Sequence, residues 1–225
     1  MEILHRDDMP RGGFAGLREH RLVTDARLFG EDKSSKAWQG MGNFVYLADA
    51  KFLPKGETKL HSHQEIDVIS VMVEGSIMHE GSLEHGQTLK SHQVQVQRAG
   101  GQGFAHNEIN PDEVENRMIQ LWVLPEQSGQ TAQYKLYSPK NGELMRIYGG
   151  EKNQDETLDS HTIIDVGIIL AGDKLSLNTP FLAYITRGSG VLNGELVKEG
   201  DLIRDNKLDF YANDDTQLIA IHVQP

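Results

Sequence analysis

His61-Ser62-His63-Gln64-Glu65-Ile66-Asp67-Val68-Ile69-Ser70-Val71-Met72-Val73-Glu74-Gly75 carries two signals at once. From Asp67 to Val73 the chain is apolar and β-branched, the composition of a strand buried on both faces. Glu74-Gly75-Ser76 then turns it. At the head of the stretch stands a His-x-His pair. Side chains two residues apart leave the same face of an extended chain, so His61 and His63 can aim at one point. Downstream, His106-Asn107-Glu108 repeats that parity. Between the two pairs, Ile77-Met78-His79 resumes extension, and Val94 and Val96 alternate with Gln93, Gln95 and Gln97, a strand pattern. Gly100-Gly101-Gln102-Gly103 makes a tight approach just before His106, where glycine permits backbone conformations that other residues avoid. A single His-x-His means little in a chain with ten histidines. Two strand-borne pairs are another matter. Three imidazoles and one carboxylate converging on one space suit a divalent transition metal, with iron, manganese, nickel, copper and zinc all compatible with the donors.

These residues resemble the pirin family of bicupins, in particular the bacterial pirin-like proteins linked to quercetin 2,3-dioxygenase activity. The likeness rests on Gly56-x4-His61-Ser62-His63-x3-Asp67-x7-Gly75 and on Arg98-Ala99-Gly100-Gly101-Gln102-Gly103-Phe104-Ala105-His106-Asn107-Glu108-Ile109-Asn110-Pro111. Gln120-Leu121-Trp122-Val123 with Pro125 extends it, and the whole runs from about Gly42 to Tyr137. Asp67 stands where the family often has Glu, and Ser91-His92-Gln93 replaces its usual Pro-Gly-Asp turn. The resemblance implies an all-β fold of two tandem jelly-roll-like cupin barrels with few short helices. It implies one metal ion held by His61, His63, His106 and Glu108, with Fe(II) favoured over Mn, Ni, Cu or Zn. The implied reaction opens the heterocycle of quercetin or a similar flavonol with O2 and releases carbon monoxide, with Glu108 as both ligand and catalytic base. The expected partners are therefore an enolic or flavonol small molecule and O2, and the expected assembly is a monomer. The family also implies an alternative: a metal- or redox-responsive regulatory protein that acts through a protein partner without turnover.

Composition narrows the field. A formal charge of −11 with no basic run argues against direct contact with a nucleic-acid backbone. The absence of cysteine removes disulfides and thiolate ligands and fits a reducing compartment. The N-terminus lacks the apolar core of a signal peptide, and no apolar run approaches a bilayer's thickness. The expectation is a cytoplasmic protein with no membrane contact.

Along the chain, residues 1–40 are polar and turn-rich, and predict short strands and an arm on the barrel. Arg11, Arg18 and Arg21 read as solvated or paired with acids. Gly42 to Phe52 predicts a strand. Pro125-Glu126-Gln127-Ser128-Gly129-Gln130 marks a boundary, giving a metal-binding cupin over 1–130 and a degenerate cupin over 131–225. Tyr134 to Ser160 reads as a crossover, and Asn193-Gly194 is a hairpin signal. The second half carries a faint repeat of the first, but the positions equivalent to the metal pairs fall on Lys174 and Ser176 and on Asp214 and Thr216 (Ile219 and Ile221 in a second register). Asp67 shares the parity of His61 and His63 and reads either as an acid orienting a ligand or as a plain strand-end acid. His79, His85 and His92 are expected in solvent, and Trp38 and Trp122 in the core.

Overall fold

A computed structural model describes residues 1–32 and 34–224 of the chain. It is built from antiparallel strands. The described helices are one four-residue α-turn, Ala26–Phe29, and two short 3-10 turns. Asp25 caps Ala26–Phe29 by accepting the Arg27 backbone N–H, which satisfies one of the donors left open at a helix start.

The chain divides into two compact units, one spanning Met9–Ser138 and the other formed by Met1–Asp8 with the chain from Pro139 onward. This differs from a cut at residue 130, and strand pairing supplies the reason. Gln133–Tyr137 adds to the first unit by pairing with Val94–Arg98, whereas Glu2–His5 pairs with Asp201–Asp205 in the second. Nor is the region after Tyr134 mere crossover: Leu144–Gly150 is a strand paired along Ser160–Ile169.

The first unit has two sheets. The larger holds seven strands in the order Gln133–Tyr137, Val94–Arg98, Asp67–Glu74, Arg117–Val123, Phe44–Phe52, Leu17–Thr24 and Arg11–Phe14. The smaller holds four, in the order His61–His63, Phe104–Ile109, Ser76–Gly81 and Thr88–Lys90. Leu17, Ala50, Phe52, Met72, Ile77, Leu89 and Met118 pack together and join strands of both sheets. Of Phe44–Phe52, only Lys51 is exposed. Two of the arginines near the N-terminus pair with acids, Arg21 with Glu19 and Arg18 with Glu115.

The second unit repeats the plan with six-stranded and four-stranded sheets around its own apolar cluster, which includes Phe181, Ile185, Ile203, Phe210 and Leu218. Asn193 and Gly194, at φ 50° and 90°, form the two-residue turn between Ser189–Leu192 and Glu195–Lys198.

Two buried ion pairs fix the first unit's large sheet. Asp67 and Arg98 face each other across neighbouring strands, with Arg98 Nη2 donating to Asp67 Oδ2 at 2.9 Å and neither side chain exposed. Arg117 and Asp49 form the other pair. Asp67, which could have oriented a histidine, thus meets a guanidinium. Removing one member of such a pair leaves the other charge desolvated. Asp67→Ala should therefore lower the unfolding free energy by about 3–5 kcal/mol. The check is a urea midpoint, and Asp67→Leu with Arg98→Met should recover much of the loss.

Candidate metal centre

His61 and His63 lie on a three-residue strand, and His106 and Glu108 lie on Phe104–Ile109. The two strands pair antiparallel with Phe104 opposite His63 and His106 opposite His61. Because each pair is spaced i, i+2, this register brings the imidazoles onto one face. Their rings meet edge to face, with centroids 4.6–5.0 Å apart. His106 Nε2 lies 3.1 Å from His61 Nε2 and 3.2 Å from His63 Nε2. Ligands about 2.1 Å from one ion are about 3.0 Å apart at right angles and about 3.4 Å apart in a tetrahedron. The spacing therefore fits three nitrogens sharing one divalent cation.

Burial favours the neutral form of the His63 and His106 rings, the form that binds metals. Burial lowers His63 to about 4, helped by His61 nearby. Burial also depresses His106, with the neighbouring histidines adding to the effect. His61 Nδ1 lies 2.8 Å from the Lys59 carbonyl, which accepts a hydrogen bond from Nδ1–H and leaves the Nε2 lone pair free.

Glu108 stands apart from the three-histidine cluster. Its Oε1 accepts from Ser70 Oγ at 3.1 Å and Gln95 Nε2 at 3.2 Å. Burial raises its carboxyl to about 7, and the Ser70 hydrogen bond works the other way. Glu108 still lines the same cavity, of about 300 Å³, as His61 and His63. That volume is at the small end for small-molecule sites. Tyr46 and Trp122 also line it, stacked at 4.3 Å between ring centroids. Tyr46 donates its hydroxyl to Glu19 at 2.9 Å. Trp122, expected in the core, is a wall of the cavity, and its buried Nε1–H has no partner among the described residues.

His79 reverses an expectation. It is fully buried, with Nε2 3.2 Å from His106 Nδ1. The signal was present: Ile77 has the same parity, and an apolar residue two positions back marks an inward face. Burial lowers the pKa of His79. Gln95 and Gln97, alternating with valines, are also inside, because their strand lies between two others and carries polar groups toward the site. Glycine keeps His106 in place: Gly100 and Gly103 adopt φ 55° and 72°, and a Cβ on Gly103 would sit 2.7 Å from the His63 carbonyl oxygen.

Residues 26–123 match the family model described as Pirin. This stretch is similar to a pirin domain. Over 224 residues it is 26% identical to "Putative quercetin 2,3-dioxygenase ZMO1337" of Zymomonas mobilis, covering 93% of this chain and 91% of that one. Among solved structures it resembles the Escherichia coli pirin YhhW in complex with nickel(II), at a TM-score of 0.82 and 16% identity over 100% of this chain and 99% of that one. A quercetin 2,3-dioxygenase from Acinetobacter baumannii gives a TM-score of 0.74 at 18% identity, over 100% of this chain and 86% of that one. The structural likenesses establish the fold, that of a bicupin. Among the described residues, no helix is long and apolar enough to cross a membrane.

If the histidine cluster binds one ion, Ni(II) or Zn(II) at about 100 times Kd should stabilise the folded protein by about 2.7 kcal/mol. His106→Ala should abolish both this shift and binding of about one ion per chain, read by thermal melts and competition with a chromophoric chelator.

Proposed function

We propose that this protein is a metal-dependent dioxygenase that opens the heterocycle of quercetin or a similar enolic aromatic with O2. The observation that carries the reading is the convergence of three Nε2 atoms beside a cavity with a stacked aromatic wall. His61, His63 and His106 hold the ion. Glu108 is the fourth ligand in this reading and the group that takes the proton of the enolic hydroxyl. A bound divalent metal, Fe(II) in the first instance, supplies Lewis acidity and a site for dioxygen chemistry. Tyr46 and Trp122 offer a flat face against which a planar ring system can lie. Burial of Glu108 behind Ser70 and Gln95 keeps its carboxylate fixed and shielded from bulk water, which favours proton transfer to a positioned oxygen. The names of the Zymomonas and Acinetobacter proteins support the same substrate class.

The test is loss of flavonol absorbance under air, with carbon monoxide release, on protein loaded with Fe(II). Wild type should turn over. His106→Ala should be inactive through loss of the ion, and Glu108→Gln should fall by about 10²-fold or more. Wild-type protein that holds one metal per chain but leaves flavonol intact would overturn the enzymatic reading and favour a metal-responsive binding protein.

A further inference from the structure

His106 can present the lone pair of Nε2 to the cluster only if its proton sits on Nδ1. That proton needs an acceptor. The nitrogen in reach is His79 Nε2, at 3.2 Å in a fully buried setting. His79 Nε2 accepts only if His79 carries its own proton on Nδ1. His79 Nδ1 in turn faces the backbone carbonyl of Glu84 at 3.2 Å, a group that accepts and never donates. The carbonyl therefore gives the chain of bonds a direction. The opposite direction would set the lone pair of His79 Nδ1 against the lone pairs of the Glu84 oxygen. The Gln97 amide nitrogen also lies 3.0 Å from His79 Nε2, where its N–H shares the single lone pair of that nitrogen with His106.

We propose that His79 is a positioning residue that passes the polarity of the Glu84 carbonyl to His106, presetting the tautomer in which His106 Nε2 is free to bind metal. The proposal rests on the reading of His61, His63 and His106 as a metal site. The turn that supplies the carbonyl is held on both sides. Glu84 adopts φ 52°, Gly86 N–H donates to the His79 carbonyl at 2.9 Å, and His79 N–H donates to the Gln87 carbonyl at 2.8 Å. The two strands are also in register, with His79 directly opposite Glu108. His61 reaches the same end by a shorter route, since the Lys59 carbonyl accepts its Nδ1 proton directly.

Long-range ¹H–¹⁵N spectra of histidine-labelled, metal-free protein read the tautomer without reference to activity. Wild-type His106 should be protonated at Nδ1. His79→Ala should move that proton to Nε2, and His79→Gln, whose amide oxygen can accept, should return it to Nδ1. Chelator competition should show Zn(II) affinity falling about 10–100-fold in His79→Ala and largely recovering in His79→Gln. Wild-type His106 protonated at Nε2 would overturn the relay, and that spectrum needs no variant to fold. An unchanged tautomer and affinity in His79→Ala would overturn it as well. Failure of wild type to bind Zn(II) at all would refute the metal site instead, and the metal-free spectrum would still decide the relay.

Discussion

The site depends on one pairing register, His106 opposite His61 and Phe104 opposite His63. Side chains alternate along a strand, so a slip of one residue would send His106 and Glu108 to the other face and bring Ala105 and Asn107 in their place. Everything nearby resists such a slip. Gly100 and Gly103 let the chain bend closely enough to enter the strand at the right residue. Asp67 and Arg98, sealed together four residues after His63, hold the neighbouring strand at its start. The position of three nitrogens is thus set by backbone ladders and a buried ion pair that do not belong to the site.

The interior around the cluster is polar in a controlled way. Ser70, Gln95 and Glu108 form one hydrogen-bonded group, and Gln97, His79 and His106 form another. Neutral side chains dominate both groups, so little charge is buried until an ion arrives. Glu108 is the exception among these, and burial answers by favouring its protonated form. Apolar strands on both sides make such a network costly unless its groups are paired. Gln95 Oε1 and Gln97 Oε1 are left without partners among the described residues.

Much of this was legible in the sequence, because parity is a local property. The i, i+2 spacing of His61 with His63 and of His106 with Glu108 identified the strands that meet, and Asn193-Gly194 marked its hairpin. What stayed hidden required knowing which strands are neighbours. Gln95 and Gln97 look like the wet side of a strand until Asp67–Glu74 and Gln133–Tyr137 flank it. His79 looks solvated until its strand is seen to sit beside Phe104–Ile109. The unit boundary moved from 130 to 138 because Gln133–Tyr137 adds to a sheet edge, a choice that no residue in that short strand announces.

His61–His63 is the outermost strand of its sheet and only three residues long. It is tied to Phe104–Ile109 by a brief ladder, yet its histidines stand 43 and 45 residues before His106. An ion shared by these strands would act as a cross-link that closes a long loop, and closing a long loop removes chain entropy from the open state. The rim of the barrel and such an ion would then open together. Fraying of this short edge would be the route by which a bound metal exchanges with solvent, and the residence time of the ion would measure the local stability of three residues.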